Sequence, residues 1–136
     1  MTNQMKIQIR QVSASTSEAT LRTHQVLIDR PTEKGGADLG PMGGELFLAG
    51  VGGCFMSNLL AAIKVRQAEI SDVRTEVIGT IADSPARFSS LELYIMANSP
   101  NPALLERMVE IADRGCIMMN TLRGKLDVRI QIGVPV

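Results

Sequence analysis

The stretch that decides the fold of this chain is ELFLAGVGGCFMSNLLAAI, residues 45 to 63. It contains 18 consecutive residues without a charge, from Leu46 to Ile63. As a helix rising about 1.5 Å per residue, this run would nearly cross a bilayer. Glycines and polar residues dilute it, however, and strand patterns elsewhere in the chain need a core. We therefore predict a buried central helix over Glu45–Gln67 and no membrane span.

A helix that is apolar nearly all round needs cover on every side. A chain of 136 residues is too short to supply that cover alone. A second copy of the chain would complete it. We therefore predict a homodimer in which the central helix lies near the interface.

Regular alternation of apolar and polar residues predicts strands before and after this helix. The other predicted elements are strands over Lys6–Ser13 and Thr20–Asp29, a glycine-rich loop over Pro31–Gly44, strands over Ser71–Ala82 and Phe88–Ala97, a helix that starts at Pro102 with Asn101 as N-cap and ends at Gly115, and a strand over Lys125–Ile132. Short links favour antiparallel pairs, which gives an α+β fold with the order β-β-α-β-β-α-β. The length fits one domain over residues 1–136.

Charge and cysteine content exclude several classes of protein. The 14 Lys and Arg residues balance the 14 Asp and Glu residues, so the chain lacks the basic excess that nucleic-acid binding requires. Two cysteines are too few for a disulfide scaffold. Residues Met1 to Gln11 contain no apolar run typical of a secretory signal. We therefore expect a cytoplasmic protein with free thiols.

The two cysteines are Cys54 in the central helix and Cys116 directly after Gly115. With His24 as the only histidine, the soft ligands do not complete a four-coordinate zinc site, and we predict no metal. His24 and Asp29 lie five residues apart on one predicted strand, so their side chains point to opposite faces and form no hydrolase triad. We expect a half-buried His24 and an Asp29 that ends the strand.

Cys54 has two interpretations. Free cysteine is among the most buried residue types, so Cys54 can simply pack in the core. The alternative is a reactive thiolate, which a mid-helix position does not favour, because the helix dipole acts within the first turn. A thiolate at neutral pH therefore needs a nearby cation or hydrogen-bond donor. Cys116 can pack in the core in the same way, although its position after Gly115 favours an exposed or strained site.

Short motifs follow one another along nearly the whole chain. They are LRTH at residues 21–24, DRP at 29–31, GG at 35–36, GP at 40–41, ELFLAGVGGCF at 45–55, GC at 115–116 and NTL at 120–122. Each motif alone is weak, but the set resembles the OsmC/Ohr family of osmotically inducible and organic hydroperoxide resistance proteins.

The resemblance implies an intertwined α+β homodimer with an active site built from both chains. It implies that Cys54 is the thiolate that attacks a peroxide and becomes a sulfenic acid, and that Cys116 then forms a disulfide with it. It also implies apolar organic hydroperoxides as substrates, a dithiol such as a lipoyl group as reductant, and no metal, flavin or haem. A pocket of methionine and aliphatic side chains would suit an apolar tail.

The chain departs from the family pattern around the expected activating charge. The peroxidases of the family usually carry Pro-Glu-Glu or Pro-Glu-Gln before the leucine. Here this stretch is Gly43-Gly44-Glu45, so the first acidic position is a glycine and only Glu45 remains. The family arginine sits in the first hairpin turn or the glycine-rich loop, and the turn Ser13–Glu18 contains none. The available cations are Arg22, Arg30 and Lys34. Of these we predict that Arg22 activates Cys54 and that Glu45 orients it or shapes the pocket mouth.

The sequence therefore leaves two functions open. The first is a thiol-dependent peroxidase that reduces organic hydroperoxides through Cys54 and Cys116. The second is a non-catalytic, stress-related dimer that binds a small apolar molecule in the same pocket, which the change at Gly44 and the missing hairpin arginine favour. A further departure is Ile117, where the family usually has proline.

Overall fold

The computed structural model describes residues 3–135 and confirms the α+β class. Over these residues, six strands and three α-helices follow the order β-β-β-α-β-β-α-α-β, one strand and one helix more than predicted. The chain divides into two compact units, Met1–Phe47 and Leu48–Val136, and each contains one three-stranded sheet. The assignment of residues 1–136 to a single domain stays a prediction.

The sheet of the first unit is an antiparallel meander of β1 (Gln8–Gln11), β2 (Ser17–Leu21) and β3 (His24–Ile28). The prediction of one strand over Thr20–Asp29 is wrong, because the chain reverses at Arg22 and Thr23, between the paired residues Leu21 and His24. Arg22 has a φ of 58°, in the left-handed region that glycine adopts most easily. A chain reversal without Gly or Asn carries no turn signal in the sequence, so the strand pattern over Thr20–Asp29 appears continuous.

The glycine-rich loop after β3 folds back closely on the first unit. It contains one 3-10 turn, Thr32–Lys34. A Cβ at Gly36 would overlap the carbonyl oxygen of Arg30, and a Cβ at Gly40 would overlap that of Leu27. Both positions therefore require glycine for a close approach of backbone to backbone.

The central helix, α1, spans Gly43–Val65 and begins and ends two residues earlier than predicted. Its buried residues form one stripe: Val51, Gly52, Phe55, Leu59 and Ala62. Other apolar side chains are open to solvent in the single chain; Leu60 is 49% and Val65 77% exposed. By length and mean hydropathy (1.9) α1 could cross a membrane, but its buried stripe is typical of a core helix.

The sheet of the second unit has the order β4-β5-β6. Its strands are β4 (Ser71–Ala82), with the predicted bounds, β5 (Arg87–Asn98) and β6 (Asp127–Ile132). The hairpin β4–β5 is antiparallel as expected, whereas β6 pairs with β5 in parallel. Two helices, α2 (Pro102–Gly115) and α3 (Ile117–Leu122), connect the two strands. They return the chain to the end of the sheet at which β5 begins, as a parallel pair requires.

Small residues let α1 lie close to β4. A Cβ at Gly52 would be 2.6 Å from Val77 Cγ2. A Cβ at Gly79 would be 2.7 Å from the Phe88 ring and 3.0 Å from Leu48 Cδ2. This contact fixes the height of the helix above the sheet, and with it the position of Cys54.

Local capping signals place α2 as predicted. Asn101 is the N-cap, and its Oδ1 accepts the backbone N–H of Leu104 at 3.3 Å, with Pro102 in the first turn. The helix ends at Gly115. The short α3, which starts directly after Cys116, was absent from the predicted order, because six residues are too few for a clear helical period.

Candidate active site

Cys54 lies near the middle of α1 and is half-buried. The residue after it, Phe55, is completely buried, and Gly52 two residues earlier packs against Val77. The helix cannot rotate about its axis without exposing Phe55 or driving Gly52 away from the sheet. The packing of α1 on the second unit therefore fixes the direction in which the Cys54 side chain points.

Cys116 forms the joint between α2 and α3. Its backbone N–H donates to the carbonyl of Asp113 (3.3 Å), and its own carbonyl accepts the N–H of Asn120 (2.9 Å). The Asn120 side chain donates to the Arg114 carbonyl (3.1 Å), and Arg123 forms an ion pair with Asp113 (3.1 Å). The joint is thus held by several independent contacts.

The prediction of an exposed or strained Cys116 is wrong. The residue is completely buried, and its φ of −83° is ordinary extended backbone. The reason is that α3 starts immediately after it, so the chain turns at Cys116 and directs the side chain inward. The glycine before it ends α2 without opening a surface loop.

The fold brings the two sulfurs together although 62 residues separate them in the sequence. Cys54 Sγ and Cys116 Sγ are 3.4 Å apart, the distance of a thiol hydrogen bond in which Cys116 donates. A disulfide bond is about 2.05 Å long, so both residues are free cysteines. Only a small closing movement separates this contact from a covalent bond.

Burial gives the two thiols different surroundings. It raises the pKa of the Cys116 thiol, the hydrogen bond with Cys54 adds to this effect, and backbone N–H groups of Met119 and Met118 partly offset it. The Cys116 thiol therefore keeps its proton at neutral pH, and its S–H can donate a hydrogen bond to Cys54 Sγ. The more accessible sulfur is the acceptor of the pair.

Asn58, which was not among the predicted site residues, also contacts Cys54. Its Nδ2 is 3.1 Å from the Cys54 carbonyl oxygen and 4.0 Å from Cys54 Sγ. The spacing of four residues from Cys54 was the available signal, since residues at this spacing are neighbours on a helix surface. Among the described residues of the second unit, the donors to Cys54 Sγ are thus Asn58 and Cys116, and both are uncharged.

Arg22 and Glu45 belong to the first unit. Arg22 is exposed at the turn between β2 and β3. Glu45 is the third residue of α1, and its Oε1 accepts the backbone N–H of Met42 at 2.9 Å, which is one half of a capping box. No ion pair joins the two within the described part of the chain, and activation of Cys54 by Arg22 stays a prediction.

The other two cations, Arg30 and Lys34, line a cavity of about 520 Å³ in the first unit. Ser17 and the first residues of α1, Gly43 and Gly44, also line it. Gly44, at the position where the resemblance implies an acid, therefore borders a cavity that Arg30 and Lys34 also line.

Asp29 organises the wall of this cavity. It directly follows β3, as predicted, and is only 2% exposed. Its Oδ2 accepts the Thr16 hydroxyl (2.9 Å) and the backbone N–H groups of Ala37 and Leu39 (3.2 Å each). Burial alone would raise its pKa, but the hydrogen bonds from the Arg30 N–H, the Thr16 hydroxyl and the Leu39 N–H, together with the Ser15 side chain, lower the pKa to about 2. His24, predicted to be half-buried, is exposed because it starts β3 beside the turn.

A second cavity, of about 400 Å³, lies between α1 and β4 in the second unit. Its lining includes Leu48, Gly52, Gly53, Met56 and Val77. The surface is mainly apolar, and Gly53 is the residue directly before Cys54. Cys54 itself does not line the cavity, because Gly52 and Cys54, two residues apart, lie on nearly opposite sides of the helix.

Residues 3–135 contain no group of three or more His, Cys, Asp or Glu side chains arranged to hold a metal ion. The described site brings together two sulfurs from residues of different exposure.

The fold and the paired thiols define a small α+β protein with a two-cysteine site. The sequence model of OsmC-like proteins matches residues 35–131, which is more than half of the chain. The chain belongs to the OsmC-like protein family. No protein with a curated function matches the sequence significantly.

Solved structures share the fold over almost the whole chain. An OsmC-like protein from Mycoplasma pneumoniae has a TM-score of 0.84 and 18% identity over 98% of each chain. An organic hydroperoxide resistance protein OsmC from Legionella pneumophila has a TM-score of 0.74 and 22% identity, covering 97% of this chain and 98% of that one. The organic hydroperoxide resistance protein OhrB of Bacillus subtilis has a TM-score of 0.69 and 21% identity, covering 96% of this chain and 98% of that one. At these identities the likeness shows the fold alone.

Proposed function

We propose that this protein is a thiol-dependent peroxidase that reduces organic hydroperoxides. The observation that carries the proposal is the 3.4 Å contact between the Sγ atoms of Cys54, a half-buried residue, and Cys116, a fully buried residue whose thiol keeps its proton. The accessible sulfur is suited to attack a peroxide, and the buried one is suited to resolve the product. Membership of a family with hydroperoxide resistance proteins supports the same reaction.

The reaction proceeds in three balanced steps. The Cys54 thiolate attacks the terminal oxygen of the hydroperoxide, the O–O bond breaks, and an alkoxide leaves and takes up a proton to become the alcohol. The Cys54 sulfenic acid then condenses with the Cys116 thiol, which forms the S–S bond and releases water. An external dithiol reduces this disulfide by thiol–disulfide exchange, is itself oxidised to a disulfide, and restores both thiols.

We propose an apolar hydroperoxide as the substrate. The lining of Leu48, Met56 and Val77 in the cavity between α1 and β4 would remove an alkyl chain from water. We assign the activation of Cys54 to Arg22, oriented by Glu45, with Arg30 and Lys34 as the alternatives. We place the activity in the reducing cytoplasm, where dithiol reductants keep both sulfurs reduced.

A peroxide assay tests the proposal. The protein is incubated with cumene hydroperoxide and dithiothreitol, and the loss of peroxide is followed over time. We expect catalytic loss with the wild type and the uncatalysed rate with Cys54→Ser. Cys116→Ser is the matched control, and we expect it to be oxidised once per chain and then to recover slowly. Equal turnover by Cys54→Ser and the wild type would exclude the mechanism.

A second function, binding of a small apolar molecule without catalysis, is favoured by the uncharged donors around Cys54 and by Gly44. The pH dependence of Cys54 alkylation separates the two functions. A midpoint well below the free cysteine value of about 8.5 supports catalysis, whereas a midpoint at or above it supports packing or binding.

A further inference from the structure

Asn58 is placed to act directly on the Cys54 sulfur. The two residues lie four positions apart on α1, so their side chains share one face of the helix. Asn58 Nδ2 is 3.1 Å from the Cys54 carbonyl oxygen, which can only accept, so the NH₂ end of the amide faces Cys54. This NH₂ carries two N–H donors. One serves the carbonyl, and the other is available to Sγ at 4.0 Å.

The opposite end of the same amide faces the segment that carries Cys116. A Cβ on Gly115 would lie 3.9 Å from Asn58 Oδ1, which is ordinary van der Waals contact. Gly115 directly precedes Cys116. One half-buried side chain therefore lies against both chain segments whose sulfurs are 3.4 Å apart.

Local helix preference does not explain an asparagine at this position. In a helix interior Asn is less favourable than Ala or Leu, because its side chain competes for backbone hydrogen bonds. Apart from Ser57 and Asn58, the run from Leu46 to Ile63 consists of apolar and glycine residues. A residue that departs from the local preference beside two facing sulfurs is typical of a functional position.

We propose that Asn58 is the positioning residue of the two-cysteine site: its amide N–H donates to Cys54 Sγ, favours the thiolate over the thiol, and keeps the sulfur turned toward Cys116. The inference rests on the proposed function for its role in turnover. A hydrogen bond to the charged form of a group favours that form. An amide, unlike a titratable cation, remains a donor at every pH.

Among the described residues of the second unit, Cys116, from the joint of α2 and α3, is the titratable side chain that hydrogen-bonds Cys54 Sγ. Cys116 also donates to Cys54 Sγ, so the sulfur has two uncharged donors from two different elements. Removal of the Asn58 donor leaves the Cys116 donor in place. The effect of Asn58 can therefore be measured without disturbing the second cysteine.

The test measures alkylation of Cys54 by iodoacetamide between pH 5 and 10, resolved by peptide mass spectrometry in the otherwise unchanged chain. Asn58→Leu keeps the size of the side chain and removes the donor. We expect the pH midpoint of Cys54 alkylation to rise by about one unit, which is a roughly tenfold loss of thiolate below the midpoint. Asn58→Asp replaces the donor by a negative charge, and we expect a larger rise.

Ser57→Ala is the matched control, because Ser57 is the exposed neighbour of Asn58. The pH midpoint of Cys54 alkylation in this variant should equal that of the wild type. Circular dichroism identifies the folded variants, and the isosteric Asn58→Asp decides the question if Asn58→Leu does not fold. Unchanged midpoints in folded Asn58 variants would overturn the proposal. If the midpoints shift in the Asn58 variants but the wild type does not turn over peroxide, the role of Asn58 stands and the peroxidase function is excluded.

Discussion

Asp29 shows how one buried residue can make stability depend on pH. Burial alone would raise the pKa of its carboxyl group, but hydrogen bonds from the Arg30 N–H, the Thr16 hydroxyl, the Leu39 N–H and the Ser15 side chain lower this pKa from 3.8 to about 2. A carboxyl group whose pKa is lowered by folding stabilises the native state above its unfolded pKa. This stabilisation is lost as the pH falls through the pKa that the carboxyl group has in the folded state.

We therefore expect the melting temperature to fall between about pH 4 and pH 2, in addition to any general acid effect. Asp29→Asn should melt at a lower temperature than the wild type at pH 7, because an NH₂ group would face backbone donors, and should lack this part of the acid transition. Asp83→Asn, the same change at an exposed turn, should behave as the wild type. Differential scanning calorimetry between pH 2 and 7 measures both effects. Identical pH profiles for Asp29→Asn and the wild type would contradict this account of the loop.

Gly52 is the element-scale feature that sets the distance between α1 and β4. A Cβ there would lie 2.6 Å from Val77 Cγ2, closer than real Cβ contacts allow, and valine is a stiff side chain. We expect Gly52→Ala to lower the free energy of unfolding by about 1–3 kcal/mol, the usual effect of overpacking. Urea unfolding followed by circular dichroism measures the change.

Gly50→Ala is the matched control on the same helix, since a Cβ at Gly50 would meet nothing within 4 Å. Alanine is the better helix former, so this variant should gain about 0.5–1 kcal/mol. Equal effects of the two substitutions would show that the contact with Val77 does not set the position of the helix.

The elements that follow from local chemistry could be predicted from the sequence. The alternation over Ser71–Ala82 and the Asn101-Pro102 start of α2 are local signals, and the structure agrees with both. The reversal at Arg22 could not be predicted, because a left-handed arginine leaves no mark in the pattern. The parallel pairing of β6 was also missed, since it depends on where two helices return the chain.

The candidate site shows the same division between local and non-local information. Both cysteines could be named from the sequence. Their 3.4 Å separation and the burial of Cys116 depend on how residues 62 positions apart pack, which no local pattern encodes. Asn58 lay within reach of sequence reasoning, because a residue four positions from a functional side chain shares its helix face.

At the scale of the whole molecule, α1 leaves apolar surface such as Leu60 open to solvent in a single chain. We propose that a second copy covers it, because a contiguous exposed apolar patch usually marks an interface. Sedimentation equilibrium should give twice the chain mass of 14.7 kDa at micromolar concentration. Leu60→Arg should shift the population toward monomer, whereas Glu106→Arg, at an exposed position of α2, should not. A wild type that sediments as a monomer would contradict the proposed dimer.

The most direct test of the paired-thiol mechanism is the intact mass of the reduced protein after one equivalent of cumene hydroperoxide. We predict a loss of two hydrogen atoms in the wild type, from a disulfide between Cys54 and Cys116. In Cys116→Ser we predict one added oxygen on Cys54 that dimedone captures. An unchanged wild-type mass, or a Cys54 that stays fully alkylatable after the peroxide is added, would contradict the mechanism.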